Sequence, residues 1–255
     1  MKIAGCVALV TGTNRGIGRQ IVEELCARGA SRVYAAMRDL AGAHALPPAA
    51  EPLRLDITVA DTVARVASEH PDVTLLVNNA GVNRNQGVLA ACDLTAARAE
   101  IEVNYFGTLA MCRAFAPVLA KNGGGMIANV LTITARVPAP AMGSYCASKA
   151  AALHMTDCVR AEVAAQGTAV LAFLPSAVDT DMTRELVGVP KEPPQAAAKA
   201  LCEAIESGAE QVPFGARAEY VTRMLQEDPA KIRREYASMM PRPSPAAQPA
   251  QVDER

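Results

Sequence analysis

The chain has 255 residues, 51% of them hydrophobic, with 4% aromatic and no tryptophan, so it can bury a full core built from Ala, Val, Leu, Ile and Met. A formal net charge of −1 excludes the strongly basic balance of a nucleic-acid binder or a membrane-surface protein. Seven cysteines, odd in number and without a C-x-x-C pair, read as reduced thiols of a cytoplasmic protein, and His44, His70 and His154 lack metal-ligand spacing, so no metal site is expected.

Residues 6–10 are a continuous apolar run of strand length, as in a strand buried on both faces of a parallel sheet. The glycine-rich loop Thr11-Gly12-Thr13-Asn14-Arg15-Gly16-Ile17-Gly18 follows, then a helix over 19–28 that stops at Gly29. Strands are predicted at 32–37 and 53–55, a helix from a Thr58 cap to Glu69, and a strand at 73–77. A long helix spans 95–121 with a bend at Pro117. Gly123 to Gly125 turns the chain into a strand at 126–131, a helix covers 145–166, and a sixth strand covers 169–174. Residues 176–194 form a proline-punctuated loop, followed by a helix at 195–207, a short strand at 211–214 and helices near 217–226 and 229–240. The tail 241–255, rich in Pro, Ala and Gln, is expected to be disordered. No run reaches membrane-spanning length and the chain opens directly into a strand, so neither a membrane partner nor a leader peptide is expected. Short strands alternating with helices of about 10–15 residues indicate βαβ units. The fold class is therefore α/β, a single-domain, Rossmann-like, doubly wound parallel sheet of about seven strands over residues 1–240.

Two stretches carry chemistry. In the strand–loop–helix setting, Gly12, Gly16 and Gly18 let the backbone turn tightly and approach a pyrophosphate, whose charge suits the helix N-terminus. The spacing G-x-x-x-G-x-G differs from G-x-G-x-x-G, and no Gly-Lys-Ser/Thr follows to make a Walker loop. Tyr145 and Lys149 are four residues apart, one turn on one helix face. A cation beside a phenol favours the phenolate, so Tyr145 is expected to have a lowered pKa and to exchange protons near neutral pH.

Together these motifs resemble the short-chain dehydrogenases/reductases, in family order and spacing across roughly residues 3–215. The loop Gly12 to Gly18 is similar to the family's cofactor motif, and Asn78-Asn79-Ala80-Gly81 to its N-N-A-G. Asn104 falls at the helix asparagine, and Tyr145-x-x-x-Lys149 matches Y-x-x-x-K. Pro175-Ser176-x-Val178-x-Thr180-x-Met182 resembles the P-G-x-V-x-T element. The resemblance implies an NADP(H)-dependent oxidoreductase that interconverts a ketone or aldehyde and an alcohol. It implies Asn104, Thr132, Tyr145 and Lys149 as catalytic residues. Gly12, Asn14, Arg15, Gly16, Ile17, Gly18, Arg38, Asp56, Ile57, Asn79, Ala80, Gly81, Pro175, Val178 and Thr180 would bind cofactor, with Tyr145 and Lys149. Two positions depart from the pattern. Thr132 stands thirteen residues before the tyrosine where the family has serine, with Thr134 as the neighbouring alternative hydroxyl. Ser176 stands where the family has glycine.

At the end of the second strand, the place of the acid that binds an NAD ribose is taken by Met37. Arg38 and Arg15 suit a 2′-phosphate, which favours NADP(H), while Asp39 keeps NAD(H) open. Asp56 is either an adenine contact or a turn residue. The substrate pocket is expected near Asn83, with Thr134, Met142, Met182, Leu186 and Val187 in an apolar wall, and Arg84, Arg136 or Arg184 as possible carboxylate ligands. A non-catalytic NADP(H)-binding sensor and an epimerase or dehydratase are the alternatives. Pairing through the 95–121 and Tyr145 helices, as the resemblance implies, gives a homodimer or homotetramer.

Overall fold

A computed structural model describes residues 1–241, apart from the side chains of residues 42, 44 and 45; the tail expected to be disordered lies outside the described residues from 242 onward. The strands are β1 (Val7–Thr11), β2 (Arg32–Met37), β3 (Ala50–Arg54), β4 (Leu75–Asn78), β5 (Gly125–Val130), β6 (Thr168–Pro175) and β7 (Gln211–Phe214). Among the described residues they form one sheet in the order β3-β2-β1-β4-β5-β6-β7, with every neighbouring pair parallel. The fold is thus Rossmann-like, as predicted. The order reverses between β1 and β4, where Leu9 pairs with Leu76 and Val10 with Val77. In such sheets the crevice at the carboxyl ends of the two central strands is where a ligand sits.

Helices cover both faces. On one side α1 (Gly16–Ala27) and α6 (Pro194–Ser207) pack over Ala8, Val10, Leu75, Met126 and Phe173. On the other, α2 (Ala60–Glu69), α4 (Thr108–Lys121) and α5 (Gly143–Val163) cover Leu9, Leu76, Ile127 and Val170. Central strands with both faces covered need continuous apolar runs, which is what β1, β4 and β5 carry. A third cluster joins α7 (Ala216–Glu227) and α8 (Pro229–Ala237) to the segment after β5 through Ile133, Val137, Cys146, Val221, Ile232 and Tyr236.

Several boundaries differ from expectation. β3 lies at Ala50–Arg54 and not at 53–55, because this edge strand is mostly exposed and offers no apolar run to read; Pro52 is tolerated on an edge. β4 begins at Leu75 and not at 73. Thr58 does not cap α2, which starts at Ala60 after Val59; its N–H and hydroxyl instead go to Asp56 Oδ1 at 3.0 and 2.7 Å. The long helix is interrupted well before Pro117. It runs as α3 (Thr95–Ile101), then a π-helical stretch at Glu102–Gly107, then α4, and Pro117 lies inside α4. Periodicity cannot distinguish a widened turn from an α turn. Here the widened turn carries the fully buried Asn104, in keeping with the concentration of π-bulges at functional sites.

Candidate active site

The loops leaving β1, β4 and β5 meet over the crevice, and one residue locks the first two together. The Thr11 hydroxyl accepts hydrogen bonds from the N–H groups of Asn79 and Ala80, both at 3.0 Å. The Asn79 side chain returns the contact, donating Nδ2 to the carbonyls of Thr11 (2.9 Å) and Gly12 (3.1 Å). This brings the glycine loop so close to residues 79–80 that no side chain fits. Gly12 has φ +71°, and a Cβ there would lie 2.8 Å from Ala80 Cα; at Gly18 it would lie 2.2 Å from the Gly12 carbonyl oxygen. The α1 N-terminus has no side-chain cap, so its first N–H groups remain free for an anion.

A cavity of about 930 Å³ opens here. Its lining includes Gly12, Asn14, Arg15, Gly16, Ile17, Gly18, Arg38, Asp56, Ile57, Asn79, Ala80 and Gly81 at one end and Thr132, Tyr145, Lys149, Pro175, Val178 and Thr180 further in. A glycine cradle, an uncapped helix N-terminus and a rim arginine form a donor set that fits a dinucleotide phosphate.

On α5 the residues 145, 149, 152, 156, 159 and 163 are buried at helical spacing, which sets Tyr145 and Lys149 on one inward face. Lys149 Nζ donates to the Val130 carbonyl at the end of β5, at 3.1 Å. Burial lowers its pKa to about 8. Tyr145 corrects the expectation of a depressed pKa. Burial is the dominant influence and raises it; Cys146 and Glu100 also act upward, and only a hydrogen bond with Thr132 acts downward. The phenol is therefore a protonated donor.

Thr132 and Thr134 line the cavity side by side, with hydroxyls 3.1 Å apart, and Thr132 also accepts the Thr134 N–H at 3.3 Å. Asn104 is bonded on all sides, donating to the Val82 carbonyl and the Ser148 hydroxyl and accepting the Val82 N–H, each at 2.9 Å. Ser148 in turn donates to the Tyr145 carbonyl at 2.7 Å, tying the π-helical stretch to α5. A Cβ on Gly81 would sit 3.1 Å from Asn104 Oδ1 and 3.3 Å from Lys149 Nζ, so both side chains converge on the same glycine.

At the outer rim, Met37 is buried and Arg38 lines the cavity. Asp39 Oδ1 accepts the Ala41 N–H at 3.0 Å. Asp56 lines the cavity and makes a turn with Thr58: burial pushes its carboxyl up, but the Thr58 N–H and hydroxyl and the Arg38 charge outweigh that and hold it below the usual range. Arg15 forms an exposed ion pair with Asp181 at 3.1 Å.

Asn83, Thr134, Met142, Met182 and Leu186 also line the cavity. Val187 does not: it is 86% exposed, at the tip of a loop whose ends are pinned by the Val178–Glu192 bridge. Arg84, Arg136 and Arg184 are not among the described residues that line the cavity. The Arg84 N–H is bound to Glu100, and Arg184 pairs with Asp181. Arg217 does line it, with Tyr220, Tyr236 and Met239. Sequence reasoning left these unassigned; two of the chain's five tyrosines within this helical pair were the available signal.

The profile of the family described as short chain dehydrogenase matches residues 6–189. The chain is 35% identical over 201 residues to the short chain dehydrogenase mpl6 of Monascus purpureus, covering 72% of this chain and 69% of that one. It is 31% identical over 194 residues to the 3-oxoacyl-acyl-carrier-protein reductase FabG of Escherichia coli strain K12, covering 73% and 79%. A crystal structure of a short chain dehydrogenase from Burkholderia cenocepacia J2315 in complex with NADP shares 48% identity, with a TM-score of 0.89 over 92% of this chain and 99% of that one.

Proposed function

The chain belongs to the short-chain dehydrogenase family, and from that premise we propose that it is an NADP(H)-dependent oxidoreductase interconverting a ketone or aldehyde and the corresponding alcohol, with Tyr145 as general acid and base. The observation that carries this reading is the convergence of Thr132, Tyr145 and Lys149 on the same cavity as the glycine cradle. A dinucleotide held there would supply the hydride chemistry. Gly12, Gly16 and Gly18 would admit its pyrophosphate, and Asn79 and Thr11 hold their loop in place.

In reduction, Tyr145 donates its proton to the carbonyl oxygen, and its burial keeps that proton in place until the oxygen becomes basic. Thr132 hydrogen-bonds the same oxygen as charge develops on it. Lys149, fixed by Val130, contributes a positive charge near the phenol's path to solvent, and Asn104 holds the turn that positions it. Oxidation runs the same path backward. NADPH consumption against a panel of ketones and aldehydes tests the reading. Tight NADPH binding with no turnover on any of them would favour a non-catalytic binding protein.

The threonine pair gives a sharper test. Thr132→Ala is expected to lower kcat by about a hundredfold, the scale of one oxyanion donor, with Thr134→Ala losing less than about tenfold. The reverse order in steady-state kinetics would assign the hydroxyl role to Thr134.

Arg38 sets cofactor choice. Met37 offers no acid to a ribose, and Arg38 is the rim cation beside Asp56. Losing a charge-assisted bond to the 2′-phosphate costs about 1.5–3 kcal/mol, so Arg38→Ala is expected to weaken NADPH more than about tenfold and NADH little. Equal weakening in titration calorimetry would remove Arg38 from the phosphate site.

We also propose a cytoplasmic homodimer or homotetramer, paired through the 95–121 helical stretch and α5; the half-exposed Phe106, in the π-helical part of that stretch, supports an uncovered face there.

A further inference from the structure

Helices α7 and α8 bring a second constellation to the substrate end of the cavity. Arg217 Nη1 donates to Glu235 Oε1 at 2.7 Å and Nε to the Tyr236 hydroxyl at 3.3 Å. The guanidinium carbon lies 5.2 Å from the Tyr220 ring centroid and 4.9 Å from that of Tyr236, so two rings flank it. The Tyr220 hydroxyl donates to the other Glu235 oxygen at 3.2 Å. Tyr236 is 3% exposed and packs with Ile133 and Cys146, which anchors the group to the segment carrying the threonine pair. These contacts use Nε and Nη1 and leave the Nη2 donors for a ligand.

Charge decides which ligand. Glu235 already neutralises Arg217. Glu192, whose Oε1 accepts the Ala216 N–H at 3.3 Å, lines the same end of the cavity and adds a second carboxylate. A carboxylate seated on Arg217 would leave net negative charge in a partly desolvated pocket, whereas a neutral acceptor takes the free N–H groups without that cost. We propose that Arg217 anchors a subsite for a neutral hydrogen-bond acceptor on the substrate, a ketone, ester or amide carbonyl other than the one reduced, and that Glu235 rejects carboxylates there. This rests on the reductase reading of the same cavity.

Matched probes test it: methyl 4-acetylbenzoate against 4-acetylbenzoate, and methyl levulinate against levulinate. Binding to the NADPH-loaded protein is followed by ligand-observed NMR titration, and turnover is followed on the same samples. Esters are expected to bind at least about tenfold more tightly than the acids. Glu235→Gln, which keeps the shape and removes the charge, is expected to raise acid affinity about tenfold and collapse the preference. Arg217→Gln should act the other way, weakening both probes and the acids most. A merely structural role would move the two variants together. Acids bound as tightly as esters by the wild type, an unchanged preference in Glu235→Gln, or no binding of either class overturns the subsite. Discrimination in binding without hydride transfer to any of these ketones keeps the subsite and sinks the reductase reading.

Discussion

Tyr145→Phe is expected to lower kcat/KM for carbonyl reduction by about 10³-fold while changing NADPH affinity less than about threefold. The substitution removes one hydroxyl and keeps the ring, so packing on α5 is preserved. What is lost is the proton donor. Burial holds the Tyr145 pKa above its ordinary value, so the phenol stays protonated through the neutral range. Reduction, which needs the protonated form, is therefore expected to stay flat with pH where ionisation of this group alone would limit it. Oxidation needs the phenolate and is expected to speed up as the medium becomes alkaline. A phenylalanine variant with wild-type turnover would remove Tyr145 from the chemistry.

Lys149→Met is expected to abolish most activity and yet stabilise the protein at neutral pH. Lys149 is 4% exposed, and burial alone lowers its pKa from 10.5 to about 8. Below about pH 8 folded and unfolded chains both hold the proton, and the full cost of burying the charge is present. Between about 8 and 10.5 the unfolded chain holds a proton that the folded chain has released, so stability rises with pH across that window. The shift corresponds to about 3 kcal/mol, and leaving the Val130 carbonyl unpartnered takes back about 1 kcal/mol. Methionine should therefore raise Tm by roughly 4–8 °C at neutral pH for a chain of this size. The gain should shrink as the medium approaches the unfolded-state pKa. A variant that is less stable than wild type at neutral pH would show that the lysine supports the empty fold. Such an exchange of stability for activity is common where a charge is buried for chemistry.

Most of the architecture was legible because the central strands need uninterrupted apolar runs and the turns between them need glycine. Spacing marked the loop 12–18 and the 145–149 pair separately, and the family resemblance was what joined them, with the 78–81 turn, to one crevice. The π-helical turn at 102–107 could not be read, because its apolar pattern fits an α-helix equally well. Nor could the Tyr145 pKa: a lysine one turn away suggests a depressed phenol, but the structure turns Lys149 Nζ to Val130 and buries the ring. The arginines 84, 136 and 184 were placed by proximity in the chain to the site, whereas none of them lines the cavity and Arg184 is held by Asp181. Arg217 reaches the cavity from about seventy residues downstream of Tyr145, through contacts of α7 and α8 with the 133–139 segment that no local pattern encodes.

The central claim is that this cavity moves a hydride from a nicotinamide to a carbonyl carbon. The direct measurement is mass spectrometry of the alcohol formed from acetophenone and methyl 4-acetylbenzoate with NADPH deuterated at the transferring position. The expected result is one deuterium at the carbinol carbon per NADPH consumed, lost together with turnover in Tyr145→Phe. Tight NADPH binding with no deuterated alcohol from any ketone or aldehyde offered would contradict it.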